Sequence, residues 1–321
     1  MGPAVELAGT QPVAFSRLPS WPVLLAGLAL ALSALMPLAG QYVCALLAVI
    51  VLGVPHGALD GEIARSVLRP RLGWAWFPVF ALPYLALFAL VLLAWRLAPE
   101  PTLAAFLGVS VWHFGSEDAP GAHLEAVVRG GLPIAVPVLA HPAATMAVFA
   151  AIAGTPLPQP PGWLWAASLL WLALAIAWAG HAALLGRTRV LAGPAMLAGI
   201  FLVLPPLTGF AIYFVCVHAP AHTAALIRDP RRAPRVRDSR SAISLALPIT
   251  GLTLLIGAAL WPFYAGAMPE RLLALTFQGL AALTLPHILL DAWLTRREQK
   301  NRIPTSAPVI GPFSSGANGG E

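Results

Sequence analysis

The feature that most constrains this chain is its succession of apolar runs. Each is close to or beyond the roughly 20 residues needed to cross the hydrocarbon core of a bilayer. They fall near 21–38, 41–56, 74–95, 102–116, 131–152, 162–185, 190–204, 207–226, 243–265 and 271–294. Only 10% of the 321 residues are charged, against about 25% in a soluble domain, so water cannot be the main solvent of such a surface. The sequence therefore predicts an all-α, polytopic transmembrane helix bundle of about ten spans. Eight or nine remain open, because the stretch 190–226 divides only at Pro205-Pro206, where two missing backbone donors favour a turn.

Charge sets the expected orientation. With ten spans, 17 of the 19 lysines and arginines fall on one side, and only Arg96 and Arg271 on the other. Basic residues concentrate in cytoplasmic loops, so both termini are expected in the cytoplasm, in a multi-pass membrane protein. Residues 1–20 read as a cytoplasmic segment, 21–296 as one transmembrane helical domain with an uncleaved first span, and 297–321 as a disordered cytoplasmic tail rich in Gly, Pro and Ser. The net charge of +6 is spread over short loops, which suits anionic membrane lipid and not nucleic acid. Cys44 and Cys216 both lie within apolar runs and read as packing residues.

Ionisable side chains inside membrane spans are costly and mark function by default. His56 ends the second span, His113 lies late in the fourth, His218 and His222 lie in the eighth, and His287 lies in the tenth. All four spans run towards the cytoplasm, and each histidine occupies the cytoplasmic half. Five imidazoles are therefore expected to meet at a common depth. His218 and His222 are four apart, on one helical face, and such a pair can grip a metal ion. Pro220 between them loosens the backbone and favours a kink that turns both rings inward.

Carboxylates follow at helical spacing: His56–Asp60, His287–Asp291, and His113 with Glu117 and Asp118. A metal-bound histidine usually donates its other ring N–H to a carboxylate or carbonyl, which fixes its tautomer. Asp60, Asp118 and Asp291 are expected in that role, while Glu62 and Glu117 read as solvated helix-end charges. His123 falls in a polar loop; His141 and His181 lie on odd-numbered spans without a carboxylate nearby. Imidazole-rich sites suit zinc, copper, iron and nickel, and ligand types alone do not choose among them.

The motifs "GVPHGALD", "WHFGSED", "CVHAPAH" and "PHILLD", in this order and separation, resemble the Brp/Blh-type bacterial β-carotene 15,15′-dioxygenases over roughly residues 46–293. The resemblance implies an Fe(II) enzyme that splits the central double bond of β-carotene with O2 into two retinal molecules. By motif, the iron ligands would be His56, His113, His218 and His222, with His287 and Asp291 in a pocket or supporting role. Trp112, Phe114, Tyr213, Phe214 and Trp293 are candidates for lining a polyene tunnel. The product suggests a functional link to a microbial rhodopsin. Two other classes stay open. One is a membrane di-iron hydroxylase or desaturase, although only one H-x-x-x-H box is present. The other is a non-enzymatic transporter or assembly factor for a retinal protein, since intramembrane His/Asp pairs also serve proton relays.

Overall fold

The computed structural model describes residues 21–302, with side chains from 24 to 298. The expected N-terminal cytoplasmic segment 1–20 and residues 303–321 of the expected tail lie outside the described residues. Among those described, every regular element is helical. They are α1 (Trp21–Ser33), α2 (Leu38–Ala48), α3 (Asp60–Leu72), α4 (Trp76–Leu97), α5 (Pro99–Asp118), α6 (His123–Ala140) and α7 (Pro142–Ala153). Then come α8 (Gly162–Leu184), α9 (Ala192–Val203), α10 (Pro206–Tyr213), α11 (Ala219–Arg228), α12 (Ser239–Leu260) and α13 (Met268–Arg302). Since α13 runs to Arg302, the first six residues of the stretch expected to be disordered are helical.

Among the described residues, six helical stretches are long and apolar enough to cross a membrane. One of them, Leu38–Leu97, has 60 residues. At 1.5 Å per residue a straight helix of that length would reach about 90 Å, three times the hydrocarbon core. It turns at Gly73, whose φ of 54° is open to glycine and strained for other residues. Large apolar side chains stand on the outside, among them Leu82, Leu170, Ile176, Leu247 and Leu255, each at least 60% exposed. A water-soluble monomer rarely tolerates such an area; hydrocarbon covers it without cost. The apolar windows of α6 and α13 are half buried, those of α8 and α12 mostly not, so α6 and α13 are central and α8 and α12 peripheral.

Three expected boundaries shift. The fifth run, 131–152, is two helices broken at His141, because Pro142 starts α7 and the residue before a proline avoids the helical region. Arg129 is therefore not in a loop but inside α6, where it bonds Glu125 Oε1 at 2.8 Å and the Val190 carbonyl at 3.3 Å. Likewise His123 begins α6 instead of lying in a loop, although it is exposed as expected.

Two interruptions matter most. After α2 the chain widens into a π turn (Val49–Gly53) and tightens into a 3-10 segment (Val54–Leu59) carrying His56. Between α10 and α11 a second π turn, Phe214–His218, ends on His218. Pro55 and Pro220 lie at these places, and a proline withholds the N–H that would bond the carbonyl four residues back. The expected loosening at Pro220 thus takes the form of a π turn just before it, a device common at functional sites.

Helices α5 and α6 meet backbone to backbone. A Cβ on Gly130 would lie 1.9 Å from the Val111 carbonyl oxygen, and one on Gly115 would lie 2.2 Å from that of Ala126. Close approach through small residues is how membrane helices gain packing when lipid is as apolar as they are. Because His113 and Glu117 flank Gly115, this contact sets their position. Gly130→Val is expected to cost at least the ~1–3 kcal/mol typical of overpacking. A lowered Tm in detergent checks this, with Gly180→Ala, where a Cβ meets open space, as the unshifted comparison.

Candidate metal centre and substrate cavity

The five histidines of the even-numbered apolar runs do meet. His218 ring centroids lie 5.4 Å from His56 and 5.2 Å from His113. His287 is 5.2 Å from His113, 5.4 Å from His222 and 6.4 Å from His56, and His56 is 5.4 Å from His222. His113, His218 and His287 are buried, His218 to 1% exposure. Their rings come from four separate stretches: the 3-10 segment, α5, the second π turn with α11, and α13.

At the centre lies Glu117. Its Oε1 is 3.3 Å from His222 Nδ1, 3.6 Å from His113 Nδ1 and 3.7 Å from His287 Nε2. Its Oε2 is 3.7 Å from His218 Nε2. The expectation that Glu117 is a solvated helix-end charge is therefore corrected. It sits one turn after His113 on the same face of an intact α-helix, and α11 and α13 close over it. The i,i+4 spacing was the signal that could have found it.

The supporting carboxylates are arranged differently from the sequence expectation. Asp60 does not serve His56. In a 3-10 segment each residue turns about 120°, so a side chain four positions on points away from its starting face, whereas an α-helix brings it back to within about 40°. Asp60 instead accepts a 2.8 Å bond from His287 Nδ1 across the bundle, and a 3.0 Å bond from the Tyr84 hydroxyl. With Nδ1 donating, His287 turns Nε2 to the cluster. His56 Nδ1 is bonded to the Gly53 carbonyl of its own turn.

Asp118 does not contact His113; at i+5 it lies on another face and accepts from the Tyr213 hydroxyl at 3.1 Å. Asp291 is corrected too. Its carboxylate is drawn to Arg232 at 2.7 Å and stands 57% exposed, away from His287. Arg232 also bonds Glu298 and Thr295, tying the loop after α11 to the end of α13. His141 and His181 lie apart from the cluster: His141 bonds the Leu202 carbonyl, and His181 is exposed on α8.

The donor set can be tested for its fit to a metal ion. Both ring nitrogens of His218 and Nε2 of His222 are buried without a hydrogen-bond partner. An unsatisfied buried polar atom costs about 1–3 kcal/mol, and a cation would take one nitrogen from each of the two rings and so relieve two of the three together. Ligand atoms of His113, Glu117 and His287 all lie within 4.8 Å of one another. The residues fit a nitrogen-rich metal site completed by a carboxylate.

A cavity of about 300 Å³ lies against this cluster, with His56, His113 and His287 in its wall. Apart from them its lining is mainly aromatic and aliphatic, including Phe114, Phe210, Phe214 and Phe277. Phe214 also stacks on His218 at 5.5 Å. Of the tunnel candidates, Phe114 and Phe214 line the cavity. Tyr213 is fully buried behind it, and Trp112 and Trp293 face outward at 55% and 44% exposure. The hydroxyls of Thr253 and Thr284 bond carbonyls of their own helices, and that of Tyr84 is held by Asp60.

The Asp60–His287 bond predicts a metal-affinity effect. Asp60→Ala, which frees His287 from its place beside the cluster, should weaken metal binding by about 10–100-fold, the usual cost of losing a carboxylate outside the ligands, in a competition titration with a chelator. Asp291→Ala should leave it unchanged.

Comparison with known proteins agrees with this architecture. Residues 47–295 match the family described as beta-carotene 15,15′-dioxygenase. The chain is 30% identical over 287 residues to a protein of Halobacterium salinarum named probable beta-carotene 15,15′-dioxygenase Blh, covering 77% of this chain and 82% of that one. It is 29% identical over 265 residues to the beta-carotene 15,15′-dioxygenase of an uncultured marine bacterium, 66A03, covering 79% and 94%. No solved structure matches it significantly. With more than three-quarters of its length and every cluster histidine inside the matched region, the chain belongs to the beta-carotene 15,15′-dioxygenase family.

Proposed function

We propose that the chain cleaves the central 15,15′ double bond of β-carotene with O2 at an iron(II) held by His56, His113, His218 and His222. The observation that carries this reading is the set of partnerless, buried nitrogens of His218 and His222 in a cluster whose other histidines line an apolar cavity, in a chain whose relatives are named for that reaction. The bookkeeping closes without a reductant: one C=C is broken, each carbon takes one oxygen atom, and the hydrocarbon leaves as two retinal molecules.

When bound, the iron supplies the activation of O2 that no side chain here can provide. The protein's own groups do the rest. Asp60 and the Gly53 carbonyl hold one ring nitrogen each of His287 and His56, so that the other is turned to the centre. Glu117 adds a negative charge among the imidazoles and balances a divalent cation. Phe114, Phe210 and Phe214 give the polyene flat walls and keep water from the reacting bond. A carotene moving from lipid to this cavity exchanges one hydrocarbon surrounding for another, so close packing and orientation decide its binding, not hydrophobic transfer.

We further infer ten crossings of the bacterial cell membrane with both termini cytoplasmic. The runs α1, α2 with its 3-10 segment, α4, α5, α6–α7, α8, α9, α10–α11, α12 and α13 correspond to the ten apolar stretches. The arginines of the loop after α11 follow the positive-inside rule. Retinal released into the bilayer is then available to a microbial rhodopsin.

Expression in a β-carotene-accumulating bacterium tests the reading. Retinal should appear and the carotene colour fade, with one iron per chain; His218→Ala should abolish retinal and lower bound iron. Two irons per chain would favour the hydroxylase class, and undiminished colour without retinal a non-enzymatic role.

A further inference from the structure

The cavity beside the histidines has two unlike ends. On one side it is closed by α6, α7 and α10, where Pro133, Pro137, Val148, Phe149, Ile152 and Leu207 are all buried. On the other it runs between α4 and α12. Only there are lining residues exposed: Phe77 at 44%, Leu85 at 45% and Leu252 at 46%. Helix α4 packs on α13, and α12 packs on the 3-10 segment and on α13, but α4 and α12 make almost no contact with each other. The result is a cleft with α13 as its floor.

The edges of this cleft are apolar, and they lie on helices whose outer faces are also apolar. Leu82 of α4 and Leu255 of α12 are 68% and 69% exposed beside it. Near the cluster the passage is kept wide by Gly57, Ala58 and Gly61; a Cβ on Gly57 would meet nothing within 4 Å. Any charged or strongly hydrated solute would have to leave water to reach such a mouth.

We propose that the cleft between α4 and α12 is the portal through which the polyene enters from the bilayer, end first, with its leading ring passing the histidines to the closed α6–α7–α10 end. This rests on the function proposed above, since a long hydrocarbon is the solute that reaches the portal already dissolved in lipid. A single open end makes the blind end the stop that fixes how far the chain penetrates. The depth of that stop then sets which double bond lies beside the metal centre.

Loading tests the portal apart from turnover. Full-length protein carrying His218→Ala is reconstituted in liposomes containing β-carotene, and uptake is followed by the change in the carotene absorption band. Adding Phe77→Trp with Leu252→Trp should slow loading at least tenfold. Adding Leu82→Trp with Leu255→Trp, more exposed on the same helices but outside the lining, should leave it within twofold. In the iron-loaded enzyme with His218 intact, the first pair should lower retinal formation without changing iron content. Equal loading by both pairs, or equal slowing by both, overturns the portal while leaving the proposed function standing if the unsubstituted enzyme forms retinal. Absence of carotene uptake by the parent protein overturns both.

Discussion

The structure depends on gathering five imidazoles and one carboxylate in an interior that offers polar partners to only some of them. Polar nitrogen buried in an apolar setting is unfavourable unless paired, and His218 has neither ring nitrogen bonded. In a chain whose core is mostly Leu, Phe, Ala and Val, no folding benefit accounts for that arrangement. The cluster becomes favourable when a cation joins it, so metal binding and the stability of the bundle's centre are linked: whatever binds the folded form and not the unfolded one stabilises it.

Regular α-helices would not deliver this geometry. His56 and His218 each sit where the backbone departs from the α form, His56 in a 3-10 segment after a π turn and His218 at the end of another. The two irregular places touch: a Cβ on Gly53 would fall 2.4 Å from the Phe214 ring. Gly53 thus admits Phe214, which stacks on His218, while its carbonyl holds His56. One missing side chain positions two histidines from distant parts of the chain. Where two helices must exchange contacts this intimate in a membrane, irregular backbone is tolerable because it is buried in protein.

The convergence of the histidines was legible because their cost inside apolar runs is a local property, readable at each position, and the charge bias placed them at one depth. Their partners were less legible. The i,i+4 rule assumes α geometry, which holds in α5, where it favours Glu117, and fails after Val54, where Asp60 turns away from His56 to reach His287. Asp291 obeys the spacing yet is claimed by Arg232, 59 residues earlier, a competitor that no local pattern reveals. The break at His141-Pro142 was written in the sequence, but the apolar run continued across it and hid the interruption. The cavity has no local signature at all, since its wall is drawn from most of the helices.

The asymmetry of that cavity constrains the chemistry more than the ligand set does. A metal held by imidazoles can oxidise many substrates, and nothing in the cluster itself distinguishes one double bond of a conjugated chain from its neighbours. With the portal proposed above, selection of a bond comes from distance along the passage, measured from a fixed stop. The buried prolines of α6 provide such a stop. Pro133 and Pro137 line the blind end, and α6 is locked to α5 through the Gly115 and Gly130 contacts. Because α5 also carries His113 and Glu117, the stop and the metal centre are joined by one rigid helix pair. Their separation is set by α5 and α6, and not by α4 and α12, which pack little against each other.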